Sequence, residues 1–191
     1  SMEGALSKWK YKTAKSYKEA LTDADFVIIS ILPGDFDVME VDVHYPEKLG
    51  IYQSVGDTAG PGGNIRALRT IPMFVEFAQK MKEYCPDAWV INYTNPMTLC
   101  IQTLYRTFPE IKAFGCCHEV FGTQKVLMTA SEDICGIKVE DRADIKVNPV
   151  SVNHFTWLTK AQYKNMDLFP IYREFAKKYA ETGYTKNLDN N

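Results

Sequence analysis

The run Asp25-Phe-Val-Ile-Ile-Ser-Ile-Leu-Pro-Gly34 decides the fold. Its aliphatic residues follow one another almost without polar interruption and Pro33-Gly34 closes it, which is the pattern of a parallel strand covered on both faces. A helix is expected after the turn, over roughly 38–48. The same pattern returns in Ala88-Trp-Val-Ile-Asn-Tyr-Thr94, after which Asn95-Pro96 is read as a helix start with Asn as N-cap and Pro in the first turn. A third short strand, Ile111-Lys-Ala-Phe-Gly-Cys-Cys117, runs into a helix over about 119–134. Between the first two strands, Ile65, Leu68, Ile71, Phe74, Val75, Ala78 and Met81 recur at helical spacing until Cys85-Pro86. Strand and helix thus alternate with short turns, the order of a parallel sheet flanked by helices.

Upstream, residues 9–15 alternate bulky and polar side chains and predict a strand. Ser16-Tyr-Lys-Glu-Ala-Leu21 then predicts a short helix with Ser16 as N-cap and Glu19 three residues on. Downstream of Gly136 the character changes: residues 145–158 are extended and alternating, and 167–182 carry Leu168, Ile171, Phe175 and Tyr179 at helical spacing. The fold class expected is therefore α/β, with a sheet region over 1–140 and the beginning of an α+β second domain over 141–191. Residues 184–191 are expected to fray.

The chain has 191 residues, 46% hydrophobic and 24% charged, which excludes a disordered or fibrous protein. A chain of this length can bury about 70% of its unfolded surface, enough for a core without disulfides. Twenty-two basic against 24 acidic residues give a net charge of −2, so neither nucleic acid nor a membrane is expected as a partner. The longest apolar run, 26–32, is too short to span a bilayer, and a soluble, cytoplasmic protein is expected. Ser1 before Met2 reads as a tag scar. Five cysteines without a C-x-x-C, at 85, 100, 116, 117 and 135, are expected to be free thiols.

Ligands of open parallel sheets bind beyond the carboxyl ends of the strands. Three such ends carry polar content: Ser30-Ile-Leu-Pro-Gly34, Asn92-Tyr-Thr-Asn-Pro96 and Gly115-Cys-Cys-His-Glu119. Each alone also fits a turn, a cap or a core thiol. Gly60-Pro-Gly-Gly63 before a helix is either a structural turn or a cradle for an anion or a polar sugar edge; it is not a Walker A loop, and no G-x-G-x-x-G occurs in the chain. The histidines are His44, His118 and His154. Cys117 with His118 and His154 suits a divalent metal if the 152–157 segment crosses the sheet mouth, whereas His44 is expected to face solvent.

Taken in order, these stretches resemble glycoside hydrolase family four, enzymes that use a nicotinamide cofactor and a divalent metal. The resemblance is carried by 25–34, Tyr45-Pro-Glu-Lys-Leu-Gly-Ile-Tyr52, Asp57-Thr-Ala-Gly-Pro-Gly-Gly63, Arg66-Ala-Leu-Arg-Thr-Ile-Pro72, 85–96, Gly115-Cys-Cys-His-Glu-Val-Phe-Gly122 and Val152-Asn-His-Phe-Thr-Trp157. The Cys-Cys-His-Glu-Val-Phe-Gly form is most similar to the α-galacturonidase branch. The resemblance implies an incomplete Rossmann-like fold of the lactate/malate dehydrogenase type, with 1–140 a partial NAD-binding domain and 141–191 the start of a substrate and metal domain. It implies Cys117 and His154 as ligands to Mn²⁺ or another divalent metal. His118 becomes the general acid for the leaving oxygen. Ser30, Ile31, Leu32, Pro33, Gly34, Asn92 and Thr94 line the NAD site. Asn95 binds sugar hydroxyls, and Asp57, Asn64, Arg69 and Asn153 lie on the substrate side.

The implied chemistry is the NAD-dependent exception to two-carboxylate glycoside hydrolysis. Hydride leaves sugar C3, the ketone acidifies the C2 proton, the glycosidic oxygen departs, water adds and hydride returns, with the metal as Lewis acid. Phospho-sugar members carry an Arg at the position of Met39, so an unphosphorylated substrate, a galacturonide or an α-glucoside, is expected. The family's opening Gly-x-Gly-Ser turn and the Tyr implied as C2 base have no counterpart in this chain, so a fragment is expected, inactive by itself, from a family of homo-oligomers. Exposed apolar surface or self-association is expected along 9–32. Two other readings are an NAD-dependent hydroxy-acid dehydrogenase and a non-catalytic remnant.

Overall fold

In a computed structural model that describes residues 10–53 and 57–184, the chain forms two compact units, 1–116 and 117–191. The first contains α1 (Tyr17–Leu21), β1 (Phe26–Ile29), α2 (Phe36–His44), a 3₁₀ turn (Pro46–Leu49), α3 (Gly60–Tyr84), β2 (Trp89–Asn92), α4 (Met97–Thr107) and β3 (Lys112–Gly115). Its strands form a parallel sheet in the order β1-β2-β3, with Val27 beside Val90 and Val90 beside Ala113. This is the βα succession of a Rossmann-like sheet.

The core lies on one face of that sheet. Ile29, Val90 and Ala113 point toward Phe74, Ala78 and Met81 of α3 and Cys100 and Leu104 of α4, all nearly inaccessible. Burying each of the larger side chains contributes about 1.5–3 kcal/mol. The opposite face differs from expectation. Phe26 and Ile28, expected to be covered on both sides, are 66% and 65% exposed, and Trp89 and Phe114 beside them meet edge-on with ring centroids 6.1 Å apart. Among the described residues β1 is also an edge strand, with β2 its one neighbour.

Side-chain caps fix the starts of α1 and α2. Ser16 Oγ accepts the Glu19 N–H (3.2 Å) while Glu19 accepts the Lys15 N–H (3.0 Å), so the expected N-cap operates at α1. Asp35 caps α2 by accepting the Val38 N–H at 2.9 Å. The strand expected over 9–15 does not form. Trp9 lies outside the described residues, and 10–15 join no sheet, because alternation makes a strand only where a neighbour accepts its ladder. Residues 54–56 of the glycine-rich stretch and 185–191 of the expected tail also lie outside the described residues.

The second unit contains α5 (Glu119–Cys135), a 3₁₀ turn (Arg142–Asp144), β4 (Ile145–Val152), β5 (Phe155–Tyr163), β6 (Met166–Asp167) and α6 (Phe169–Lys178). β4 and β5 form an antiparallel hairpin with a two-residue turn, Asn153-His154, and β6 adds to β5. Leu127 of α5 packs with Val139, Ile145, Ala161 and Leu168. Gln124 Nε2 donates to the Ile145 carbonyl at 2.8 Å. These contacts place α5 in the second unit, so the units divide at 116/117, whereas the sequence reading divides the chain at 140/141. Among the described residues no helix is long and apolar enough to cross a membrane, and all five cysteines are free.

Candidate functional site

In the first unit the β1 and β2 carboxyl ends are joined by one side-chain bond and one backbone bond. Thr94 Oγ1 accepts the Ile31 N–H at 3.0 Å, and Tyr93 N–H reaches the Ile29 carbonyl at 2.8 Å. Asn92, wholly buried, accepts the Thr94 N–H at 3.0 Å and donates to the Thr94 carbonyl at 2.9 Å. These bonds of Asn92 and Thr94 shape the turn. Ser30 is exposed, Ile31 and Leu32 are half-buried and Pro33 is buried. Gly34 has φ +87°, and a Cβ there would stand 3.3 Å from Val38, so the turn into α2 needs glycine.

Asn95 does not cap α4, as the sequence predicts it does. Pro96 occupies the N-cap position with no side-chain bond, and the Asn95 amide turns elsewhere. Its Nδ2 donates to Asp57 Oδ2 at 3.0 Å, while Arg66 Nε donates to the Asn95 main-chain carbonyl at 3.2 Å. Asn95 Oδ1 is buried and, among the described residues, meets no hydrogen-bond donor. Arg69, whose Nε is likewise buried and unpaired, holds the buried Asp42 carboxylate with its terminal nitrogens. Asn64 sits on the exposed side of α3, apart from these bonds.

Gly60-Pro-Gly-Gly63 is not a loop before the helix but the first turn of α3. Pro61 suits that position because its missing N–H would be unpaired anyway. Gln53, absent from the sequence reading, fills the cradle from within. Its Oε1 accepts the Gly62 N–H at 2.9 Å while its Nε2 donates to the Asp42 and Val43 carbonyls at 3.1 and 3.2 Å. A Cβ on Gly63 would lie 2.5 Å from the Thr58 carbonyl carbon, so close backbone approach explains this glycine. Of the two readings open for the stretch, the structural turn is the one observed.

In the second unit the hairpin turn carries His154 back to the start of α5. Its Nε2 lies 3.5 Å from Cys117 Sγ, and that sulfur accepts the Glu119 N–H at 3.4 Å. Two residues further along each segment, Thr156 Oγ1 donates to Glu119 Oε2 at 2.8 Å and fastens β5 to the helix start. His154 adopts φ +58°, a left-handed conformation that Asn, Asp and His enter more readily than most residues. His154 Nδ1 and both polar atoms of the Asn153 amide are buried and find no partner among the described residues. His118 occupies the α5 N-cap position, exposed and with its imidazole unused for capping. His44 pairs with Glu47 at 3.0 Å and is exposed, as expected.

This pair fits a soft or borderline divalent metal. Ligands at about 2.3 Å (S) and 2.1 Å (N) around a tetrahedral ion stand about 3.6 Å apart, close to the observed separation. Among the described residues no group of three or more His, Cys, Asp or Glu side chains forms a metal site. The sequence marks Cys117 and His154 as candidates, but their meeting depends on the hairpin register. Thr156 and the Glu119 carboxylate, which secure it, lie in the stretches that carry the resemblance, but sequence alone assigns neither a role.

A sequence profile for family 4 glycosyl hydrolases matches residues 1–132. The chain is 64% identical over 184 residues to an alpha-galacturonidase of Thermoanaerobacterium saccharolyticum, covering 96% of this chain and 40% of that one. A crystal structure of the Bacillus subtilis glucosidase lplD superposes with TM-score 0.87 at 58% identity, covering 94% of this chain and 41% of the other. A 6-phospho-alpha-glucosidase from gut microorganisms, solved in complex with NAD and Mn²⁺, superposes with TM-score 0.70 at 25% identity over 86% of this chain and 36% of its own. The chain thus spans about 40% of the length of the curated relatives it matches.

Proposed function

The chain belongs to family 4 of the glycosyl hydrolases, and from that premise we propose that its residues serve the hydrolysis of an α-galacturonide by NAD-dependent oxidation, elimination, addition and reduction. The observation that carries the reading is the 3.5 Å approach of Cys117 Sγ to His154 Nε2. The identity to alpha-galacturonidases and Met39 in place of an arginine favour an unphosphorylated uronide over a phospho-sugar. The partner is then a small carbohydrate, and the setting a cytoplasmic homo-oligomer.

When bound, Mn²⁺ would supply Lewis acidity and NAD a reversible hydride acceptor. Cys117 and His154 hold the metal, and the Glu119 N–H and the Glu119–Thr156 bond keep both ligands aimed. His118, with a free imidazole, delivers a proton to the leaving oxygen. Ser30, Ile31, Leu32, Pro33 and Gly34 form the cofactor-facing turn, with Asn92 and Thr94 holding its shape. Asn95 binds a sugar hydroxyl, and Asp57, Asn64, Arg69 and Asn153 act on the substrate side.

Cobalt titration tests the metal pair directly. A thiolate-to-cobalt absorption band is expected in the wild-type chain and in Cys135→Ser, but not in Cys117→Ser or His154→Asn. A band that survives Cys117→Ser overturns the assignment. Release of galacturonic acid from an α-galacturonide, dependent on NAD⁺, Mn²⁺ and a reductant together, tests the activity.

A further inference from the structure

We propose that Asp57 is a positioning residue that fixes Asn95 as a hydrogen-bond acceptor, so that this subsite selects a sugar hydroxyl able to donate its proton. The proposal rests on the reading of Asn95 as a sugar-binding residue and adds the polarity of that contact. The decisive observation is the 3.0 Å bond between Asn95 Nδ2 and Asp57 Oδ2. A carboxylate has lone pairs and no proton, so only the NH₂ side of the amide can face it. The carbonyl side must then point away.

The surrounding bonds leave the amide no alternative. Asp57 Oδ1 is engaged by the Thr58 hydroxyl at 3.0 Å, which holds the carboxylate plane. Arg66 Nε holds the Asn95 main-chain carbonyl, fixing the backbone from which the amide projects. The usual use of an asparagine oxygen before a helix, capping, is closed because Pro96 stands at the N-cap. Among the described residues no donor meets the buried Asn95 Oδ1. A buried acceptor without a donor is unfavourable, and a ligand hydroxyl relieves it. A fluorine or a carbonyl at the same place only accepts, and two acceptors repel.

Nuclear magnetic resonance of the 191-residue chain, with NAD⁺ and Mg²⁺ present, separates the steps. The Asn95 side-chain resonances are assigned by their disappearance in Asn95→Asp. Without sugar, the Asn95 Nδ2 protons are expected to exchange at least tenfold faster in Asp57→Asn than in wild type, because an amide at 57 can face Asn95 either way round. Asp57→Glu, which keeps an acceptor-only group, is expected to restore much of the protection. Methyl α-galacturonide is then expected to shift the Asn95 Cγ resonance in wild type. Its 2-deoxyfluoro or 3-deoxyfluoro derivative, whichever lacks the contacted hydroxyl, is expected to leave that resonance in place and to bind on the order of tenfold more weakly, a preference lost in Asp57→Asn.

Equal exchange in wild type and Asp57→Asn, or equal shifts from the galacturonide and both fluoro derivatives, overturns the proposal alone. If protection depends on Asp57 but no sugar moves the Asn95 resonance, the sugar-binding reading falls and takes the proposal with it.

Discussion

Cys100 faces α3 from α4 and is 1% exposed, and burial pushes its thiol up to about 12 from an ordinary value near 9, against a smaller opposing pull from Arg66. The folded protein therefore keeps a proton that the unfolded chain releases. Stability from this group is complete below about pH 8.5 and is lost as pH rises toward the folded value, at about 1.4 kcal/mol per pH unit inside that window. Cys85 is pushed up by burial too and adds to the same slope. Urea midpoints measured from pH 8 to 11 are expected to fall steadily for the wild type and less steeply for Cys100→Ala, even though that substitution lowers stability at pH 8. Equal slopes in the two proteins would sink the assignment.

The β4–β5 hairpin shows what an element does for a side chain. Its two-residue turn carries His154 with φ +58°, where glycine fits without strain, yet the sequence places an imidazole there. His154→Gly is expected to fold at least as stably as His154→Ala, by about 1 kcal/mol in thermal unfolding, because alanine keeps the strain and glycine removes it. An alanine variant as stable as the glycine one would mean that the turn holds no such strain.

The same element marks the limit of what could be read in advance. Parallel strands, the α1 cap and α5 are written in local runs, so sequence alone places them well. The Cys117–His154 approach joins residues 37 apart and depends on a turn whose Asn-His pair lacks the glycine that usually announces a hairpin. The Asp57–Asn95 bond spans 38 residues, and local rules assigned Asn95 to capping instead. At Gly60-Pro-Gly-Gly63, where sequence leaves two readings open, the bonds come from Gln53, a residue with no motif of its own, which satisfies the α3 start and the α2 end together.

On the scale of the whole molecule, each unit has its own core, and the first also carries an apolar sheet face that is exposed among the described residues. Phe26, Ile28, Trp89 and Phe114 line that face, and a hydrophobic dye is expected to bind it under native conditions. Fluorescence of such a dye is expected to fall by half or more in Ile28→Lys with Trp89→Lys, with the circular dichroism spectrum unchanged; undiminished dye binding would place the exposed surface elsewhere. The edge of β1 adds a second consequence. Asp25 and Ile29 offer their carbonyls to Trp89 and Tyr93, so odd-numbered residues of the strand turn their backbones toward β2 and even-numbered ones turn theirs outward. Deuterium uptake along β1 should therefore alternate with the parity of the residue number, fast at Phe26 and Ile28 and slow at Val27 and Ile29.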